Sequence, residues 1–219
     1  MQNPDHAIKM DVLAELAWEP MLDADHIGVT ARDGVVTLSG HVESYWQKHA
    51  AEVAVGRVHG VKGIAEGLAV HLPTDHQRGD EEIAAAAVNR LDWDATLPPA
   101  AIMVQVQDGC VTLSGTVPHQ FQRQAAETAV QSLWGVTAVA NEIAIPVPDK
   151  PANPNRIADD IRRALNRGWF AADTVHVAAL GGTVTLSGKA ETLRDRALAV
   201  ETAWAAPGTA RVENHIRIG

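Results

Sequence analysis

The sequence predicts an α+β fold in which one small unit is repeated three times. The pentapeptide Val-Thr-Leu-Ser-Gly occurs three times, and successive copies lie 75 and 73 positions apart. The copies occupy residues 36–40, 111–115 and 184–188. Each alternates apolar and polar side chains, as a half-buried strand does, and ends in a glycine that suits a turn. The 219 residues therefore divide into three predicted domains, at 5–72, 80–147 and 155–219.

The first unit is predicted as a helix, two strands, a second helix and a third strand. Apolar residues at a spacing of four mark the first helix, at Ile8, Val12 and Leu16. Residues 27–32 and 35–40 alternate as strands do, and Asp33-Gly34 between them suits a tight hairpin because both residues tolerate positive φ. An alanine- and valine-rich stretch over 43–58 predicts the second helix. The last strand is expected around Ile64, Leu68 and Val70.

The other two units repeat this order. The helical spacing of four recurs at Ile83, Ala87 and Leu91 and at Ile157, Ile161 and Leu165. The hairpin dipeptide is Asp108-Gly109 in the second unit and Gly181-Gly182 in the third. A strand, helix and strand connection is right-handed and brings the last strand parallel to the second. Each unit is therefore predicted as a three-stranded mixed sheet with two helices on one face.

The repeated motif resembles the BON domain, named for bacterial osmotically inducible and nodulation proteins. The shared features are an Asp-Gly-x-Val-Thr-Leu-Ser-Gly hairpin, a glycine 20 residues later and a closing Val-x-Asn-x-Ile. They fall on Asp33, Gly34, 36–40 and Gly60; on Asp108, Gly109, 111–115, Gly135, Val139, Asn141 and Ile143; and on Gly182, 184–188, Gly208, Val212, Asn214 and Ile216. The first copy departs from the motif at Glu66, and the third at Gly181.

The resemblance implies three tandem non-enzymatic domains. It also implies a periplasmic or membrane-associated role in which the domains bind phospholipid surfaces or other envelope components, often under osmotic or envelope stress. The matched positions are turn glycines and core aliphatic residues, so they imply structure and no active site. Asp33 and Asp108 are expected to make local hydrogen bonds within their turns.

Charge is distributed unevenly along the chain. The whole sequence has a net charge of −9, which argues against general nucleic-acid binding. Units 5–72 and 80–147 carry −5 and −6, whereas unit 155–219 carries +2. The third unit is therefore net positive, unlike the other two, and its charge favours different partners.

The first helix of the third unit is the sharpest candidate site. The candidate lipid- or anion-binding residues are Arg156, Arg163, Arg167, Trp169 and Phe170. A basic helix face followed by aromatics suits an anionic membrane, where each arginine contributes about 1 kcal/mol. The alternative is a solvated charged face, because Asp159 and Asp160 share the helix. In that alternative Trp169 covers a small core, as Trp18 and Trp93 are expected to do.

A second hypothesis is a protein partner or a second copy of the chain, giving a homo-oligomer. The sheet faces not covered by helices are predicted to be small or weakly polar, unlike most solvent-facing strands. These positions are Gly28, Thr30, Val35, Thr37, Ala65, Gly67 and Ala69, and Met103, Gln105, Cys110, Thr112, Ala140 and Ala144. Tyr45 and Trp46 form a further candidate, as exposed aromatics that bind a partner.

The sequence offers little for catalysis, cofactors or metals. The ten histidines are scattered, and no nucleophilic triad, nucleotide loop or zinc spacing is visible. The stretch from Asp23 to His26 offers too few oxygen ligands for calcium. Cys110 is the single cysteine, which excludes an intramolecular disulfide. We therefore expect no enzyme activity, no cofactor and no metal.

The expected location follows from two further features. The first 20 residues include four acidic side chains and no unbroken apolar run, unlike a secretory signal. No stretch reaches the roughly 20 apolar residues of a spanning helix. We expect a cytoplasmic, non-transmembrane protein that can associate peripherally with a membrane. The predicted function is an anionic-phospholipid binding module in osmotic or envelope stress, with a soluble interaction or self-assembly scaffold as the alternative.

Overall fold

A computed structural model describes residues 4–146, 154–167 and 174–219, which fold as three α-β-β-α-β units. The first contains α1 (Pro4–Ala17), β1 (Ile27–Arg32), β2 (Val35–Val42), α2 (Tyr45–Arg57) and β3 (Gly63–Val70). The second contains α3 (Asp80–Asp92), β4 (Ile102–Gln107), β5 (Cys110–Gly115), α4 (Gln120–Gln131) and β6 (Ala138–Asn141). The third contains α5 (Pro154–Arg167), β7 (Val175–Leu180), β8 (Thr183–Ala190), α6 (Leu193–Trp204) and β9 (Arg211–Ile218). The predicted α+β class and element order are confirmed.

Each unit has one three-stranded mixed sheet. In the first, β1 pairs antiparallel with β2 through the hairpin, and β2 pairs parallel with β3 after the crossover through α2. The same order recurs as β4-β5-β6 and β7-β8-β9. In every unit the middle strand contains the repeated pentapeptide, so the motif marks the central strand of each sheet.

Each sheet is buried on one face and open on the other. In β2, Val36 and Leu38 have no exposed surface, whereas Thr37 between them is exposed. Val12 and Leu16 of α1 pack in the same core. Burial of one such aliphatic side chain contributes about 1.5–3 kcal/mol. The helices therefore cover the inner face, and alternate strand residues stand on the outer face.

A carboxylate from the first helix holds the hairpin turn in each of the first two units. Asp5 accepts hydrogen bonds from the backbone N–H groups of Asp33 and Gly34, at 3.0 and 3.1 Å. Asp80 does the same for the turn at 108–109, at 2.9 Å for both bonds. The side chains of Asp33 and Asp108 make no hydrogen bond within the described residues. The expectation of local bonds from those two side chains was therefore wrong.

The second helices bring the three units together. Tyr45, at the start of α2, packs against the core of the second unit. Leu193, at the start of α6, packs against the core of the first unit. Helices α2, α4 and α6 all contribute to a polar cavity of about 460 Å³ between the units. The open sheet faces remain available at the surface.

Candidate functional site

The arginines of α5 lie on its exposed side, and most of them are paired within the helix. Arg156 and Arg163 both form ion pairs with Asp160. Arg162 pairs with Asp159 at 2.9 Å and donates a hydrogen bond to the carbonyl of Val177 at 2.7 Å. Exposed pairs of this kind are worth about 0.3–0.5 kcal/mol in a helix. The acidic residues therefore offset part of the positive charge that the sequence assigned to this face.

Arg167 differs from the other α5 arginines. It is exposed at the last position of the helix, and it forms no ion pair with any residue that the structure describes. Trp169 and Phe170, the aromatic part of the predicted site, lie outside the described residues. The structure thus places Arg156, Arg163 and Arg167 on one surface, and the lipid contact proposed for them stays a prediction.

Tyr45 and Trp46 lie between the first two units. Tyr45 is half-buried against the core of the second unit. Burial raises the pKa of its hydroxyl, and a hydrogen bond with the backbone of Val139 opposes this shift. Trp46 is also half-buried and lines a cavity of about 540 Å³ with Trp134 of the second unit. Both aromatics therefore have partners within the chain.

Two tryptophans are more exposed than the sequence predicted. Trp18 follows α1 and is 84% exposed, and Trp93 follows α3 and is 88% exposed. The expectation that they cover small cores was wrong, because the last core residue of each helix stands two positions earlier. In the second unit Trp93 and Phe121 line one open groove. Exposed aromatics of this kind suit interfaces with apolar character.

The outer face of the first sheet is largely uncharged, as predicted, with a histidine cluster at one end. The rings of His26 and His41 are 4.8 Å apart, and those of His41 and His71 are 5.0 Å apart. His26 Nδ1 lies 3.4 Å from the carboxylate of Asp23. No group of three His, Cys, Asp or Glu side chains in the described part of the chain is arranged to hold a metal ion.

The outer face of the third sheet is basic, a feature that the sequence reasoning missed. Its last strand has the sequence Arg-Val-Glu-Asn-His-Ile-Arg-Ile, in which Ile216 is buried and its neighbours are exposed. The alternation places Arg211, His215 and Arg217 on the outer face. The period-two pattern alone was sufficient to find this surface, because strand neighbours point to opposite faces.

No helix within the described ranges is long and apolar enough to cross a membrane.

Comparisons with known proteins agree with the repeat. A family model described as the BON domain matches residues 4–71, 79–146 and 153–219. Osmotically-inducible protein Y of Escherichia coli (strain K12) is 34% identical over 144 residues, which cover 64% of this chain and 71% of that protein.

Solved structures give much weaker matches. A structure of CdsD, a structural protein of the type III secretion system of Chlamydia trachomatis, is 17% identical with a TM-score of 0.28 and covers 96% of this chain and 91% of that chain. The PrgH periplasmic domain is 12% identical with a TM-score of 0.23, covering 96% and 99%. Overlaps this low support no conclusion about function or about the arrangement of the units.

Proposed function

The chain belongs to the BON domain family, and from this premise we propose that it is a non-enzymatic binding protein of osmotic stress that associates with anionic phospholipid surfaces. The relative named for osmotic induction supports the physiological setting. The third unit is the proposed contact, and the first two units remain in solution.

The observation that carries this proposal is the segregation of charge. The first and second units have net charges of −5 and −6, so an anionic surface repels them. The third unit has a net charge of +2 and carries unpaired cations on its surface. Each lysine or arginine close to an anionic membrane contributes about 1 kcal/mol, and the contribution falls within a Debye length. Charge therefore orients the protein with its third unit toward the lipid.

Co-sedimentation of the full chain with vesicles tests the proposal. Phosphatidylglycerol-containing vesicles are compared with pure phosphatidylcholine vesicles, each at low and at high salt. We expect binding that requires the anionic lipid and weakens as salt rises. Absence of binding to phosphatidylglycerol at low salt would exclude this function. When the lipid contact is made by the arginines of α5, the double variant Arg163→Ala with Arg167→Ala abolishes binding while the fold is retained.

A second candidate function is a protein-interaction or self-assembly scaffold. It is favoured by the outer face of the first sheet, where Arg32 stands at one end and seven further exposed outward positions carry no charge. These are Gly28, Thr30, Val35, Thr37, Ala65, Gly67 and Ala69. Such a face can pack against another flat surface, because the uncharged positions away from Arg32 need no charge to be desolvated. Sedimentation velocity at increasing concentration tests this candidate, and Thr37→Lys should weaken any association that uses the face.

A further inference from the structure

The pairing of β7, β8 and β9 brings five polar side chains together at one end of the third sheet. His176, Ser187 and His215 are paired in one row across the three strands. Lys189 and Arg217 are paired in the next row. Neighbouring strands are about 4.8 Å apart, and residues two apart in a strand share a face. We call these five residues the basic sheet face.

The two cations of the basic sheet face, Lys189 and Arg217, have no ion-pair partner among the described residues. Both side chains are exposed. The outward acid on these strands is Glu213, which pairs with Arg211 at 3.3 Å. The two histidines on the face add positive charge when they are protonated. Lys189 and Arg217 are therefore free to bind an anion.

An exposed leucine stands at the opposite end of the same face. Leu180 is 80% exposed, next to the Gly181-Gly182 turn. The pairing places it in one row with Thr183 and Arg211. An exposed apolar side chain on the same face as cations is typical of surfaces that bind the interface of an anionic membrane. The outer face of the third sheet thus offers both electrostatic and apolar contributions to interfacial binding.

The equivalent positions of the other two sheets lack these charges. The pair Lys189 and Arg217 corresponds to the paired residues Thr116 and Ala144 in the second unit. In the first unit it corresponds to His41 paired with Ala69. The fold is the same in all three units, so the fold does not require cations here.

The contact surface follows from these observations, given the proposed function on which this inference rests. We propose that the basic sheet face, and not α5, is the surface that binds the phosphate groups of an anionic bilayer. Helix α5 packs through Ile157 and Ile161 on the inner side of this sheet. A flat bilayer against the outer side therefore cannot reach α5 at the same time. The two sites are mutually exclusive and can be separated by experiment.

Two matched variants of the full chain separate them. The sheet variant carries Lys189→Ala and Arg217→Ala, and the helix variant carries Arg163→Ala and Arg167→Ala, so both lose two positive charges. With phosphatidylglycerol vesicles at low salt, the sheet variant should partition about thirtyfold more weakly, from about 1 kcal/mol per residue. The helix variant should change partitioning less than about threefold, through long-range charge alone.

Further arms test the apolar contribution and the source of the phosphate. Leu180→Ser should reduce the binding that persists at high salt, since that part is apolar. Inorganic phosphate should release the protein no better than sodium chloride of equal ionic strength. Circular dichroism checks the fold of each variant, and Lys189→Gln with Arg217→Gln replaces the alanine pair where that pair does not fold.

The outcomes distinguish this inference from the proposed function. Binding of the native chain with equal binding of the sheet variant would overturn the sheet site and leave the lipid function standing. Loss of binding in the helix variant would assign the contact to α5 instead. Selective release by inorganic phosphate would indicate a free-phosphate site. Self-association that the sheet variant removes, without lipid, would indicate a contact between copies of the chain. Lack of any native binding would end both proposals.

Discussion

Replacement of Asp80 by alanine tests how the hairpins are held. Its carboxylate, in the first turn of α3, accepts hydrogen bonds from the backbone N–H groups of the two hairpin residues, Asp108 and Gly109, each at 2.9 Å. Alanine leaves these two groups without an acceptor from the helix. Asp108 also has a φ of 52°, which few non-glycine residues adopt. The turn therefore depends on contacts from outside its own sequence.

The cost follows from the exposure of the two bonds. A hydrogen bond to a charged group contributes about 1.5–3 kcal/mol when it is shielded. The Gly109 bond is partly buried, but the Asp108 bond is exposed and water replaces it. We expect a total loss of about 2 kcal/mol. For a domain of this size, that loss lowers the melting temperature by roughly 8–16 °C.

Thermal unfolding and hydrogen exchange at the Gly109 amide measure this effect. Glu81→Ala is the matched control. Glu81 is exposed in the same first turn of α3, and its replacement removes the same negative charge. It should cost much less, since it changes only the interaction with the helix dipole. Equal destabilisation by the two variants would refute the role of Asp80 as a clamp and leave only a helix-end effect.

Three further predictions concern a strand end, a half-buried carboxyl group and the contact between units. Gly115→Ala should destabilise the second unit by about 3 kcal/mol in urea unfolding. The reason is that φ of Gly115 is +129° and a Cβ there would lie 2.1 Å from the carbonyl oxygen of Ala101. An unchanged free energy of unfolding would contradict this geometry. Partial burial, and then the nearby charge of Glu66, raise the pKa of Glu52. Ionisation of Glu52 therefore lowers the stability of the folded state as pH rises through the folded pKa. Glu52→Gln should stabilise the protein at neutral pH but not in acid, and a pH-independent effect would contradict this. Tyr45→Ala should loosen the first unit from the second and increase the radius of gyration in X-ray scattering, and an unchanged radius would contradict an anchoring role.

The fold was predictable because its signals are local. The spacing of four in each first helix, the strand alternation and the hairpin dipeptides all act within about ten residues. The clamp by Asp80 was not predictable in this way, since it joins positions 28 residues apart. Only the tertiary approach of the helix to the hairpin shows which donors its carboxylate meets.

The candidate site was predicted less well, for reasons that differ between surfaces. Pairing of Asp160 with Arg156 and Arg163 follows the i, i+4 and i, i+3 spacing of a helix, so the sequence contained that signal. The basic sheet face was also readable from strand alternation. The exposure of Trp18 and Trp93 was not, because the side on which a tryptophan packs at a helix end depends on tertiary contacts.

Lysine footprinting on the native chain shows which face of the third unit lies against the lipid. Five lysines occur in the sequence, and Lys189 and Lys62 are both exposed, on the third and first units. Acylation at each lysine is measured by mass spectrometry, with and without phosphatidylglycerol vesicles at low salt. Vesicles should protect Lys189 and leave Lys62 reactive, and high salt should remove the protection. Equal reactivity of Lys189 with and without vesicles, under conditions in which the protein is bound, would contradict the basic sheet face as the lipid contact.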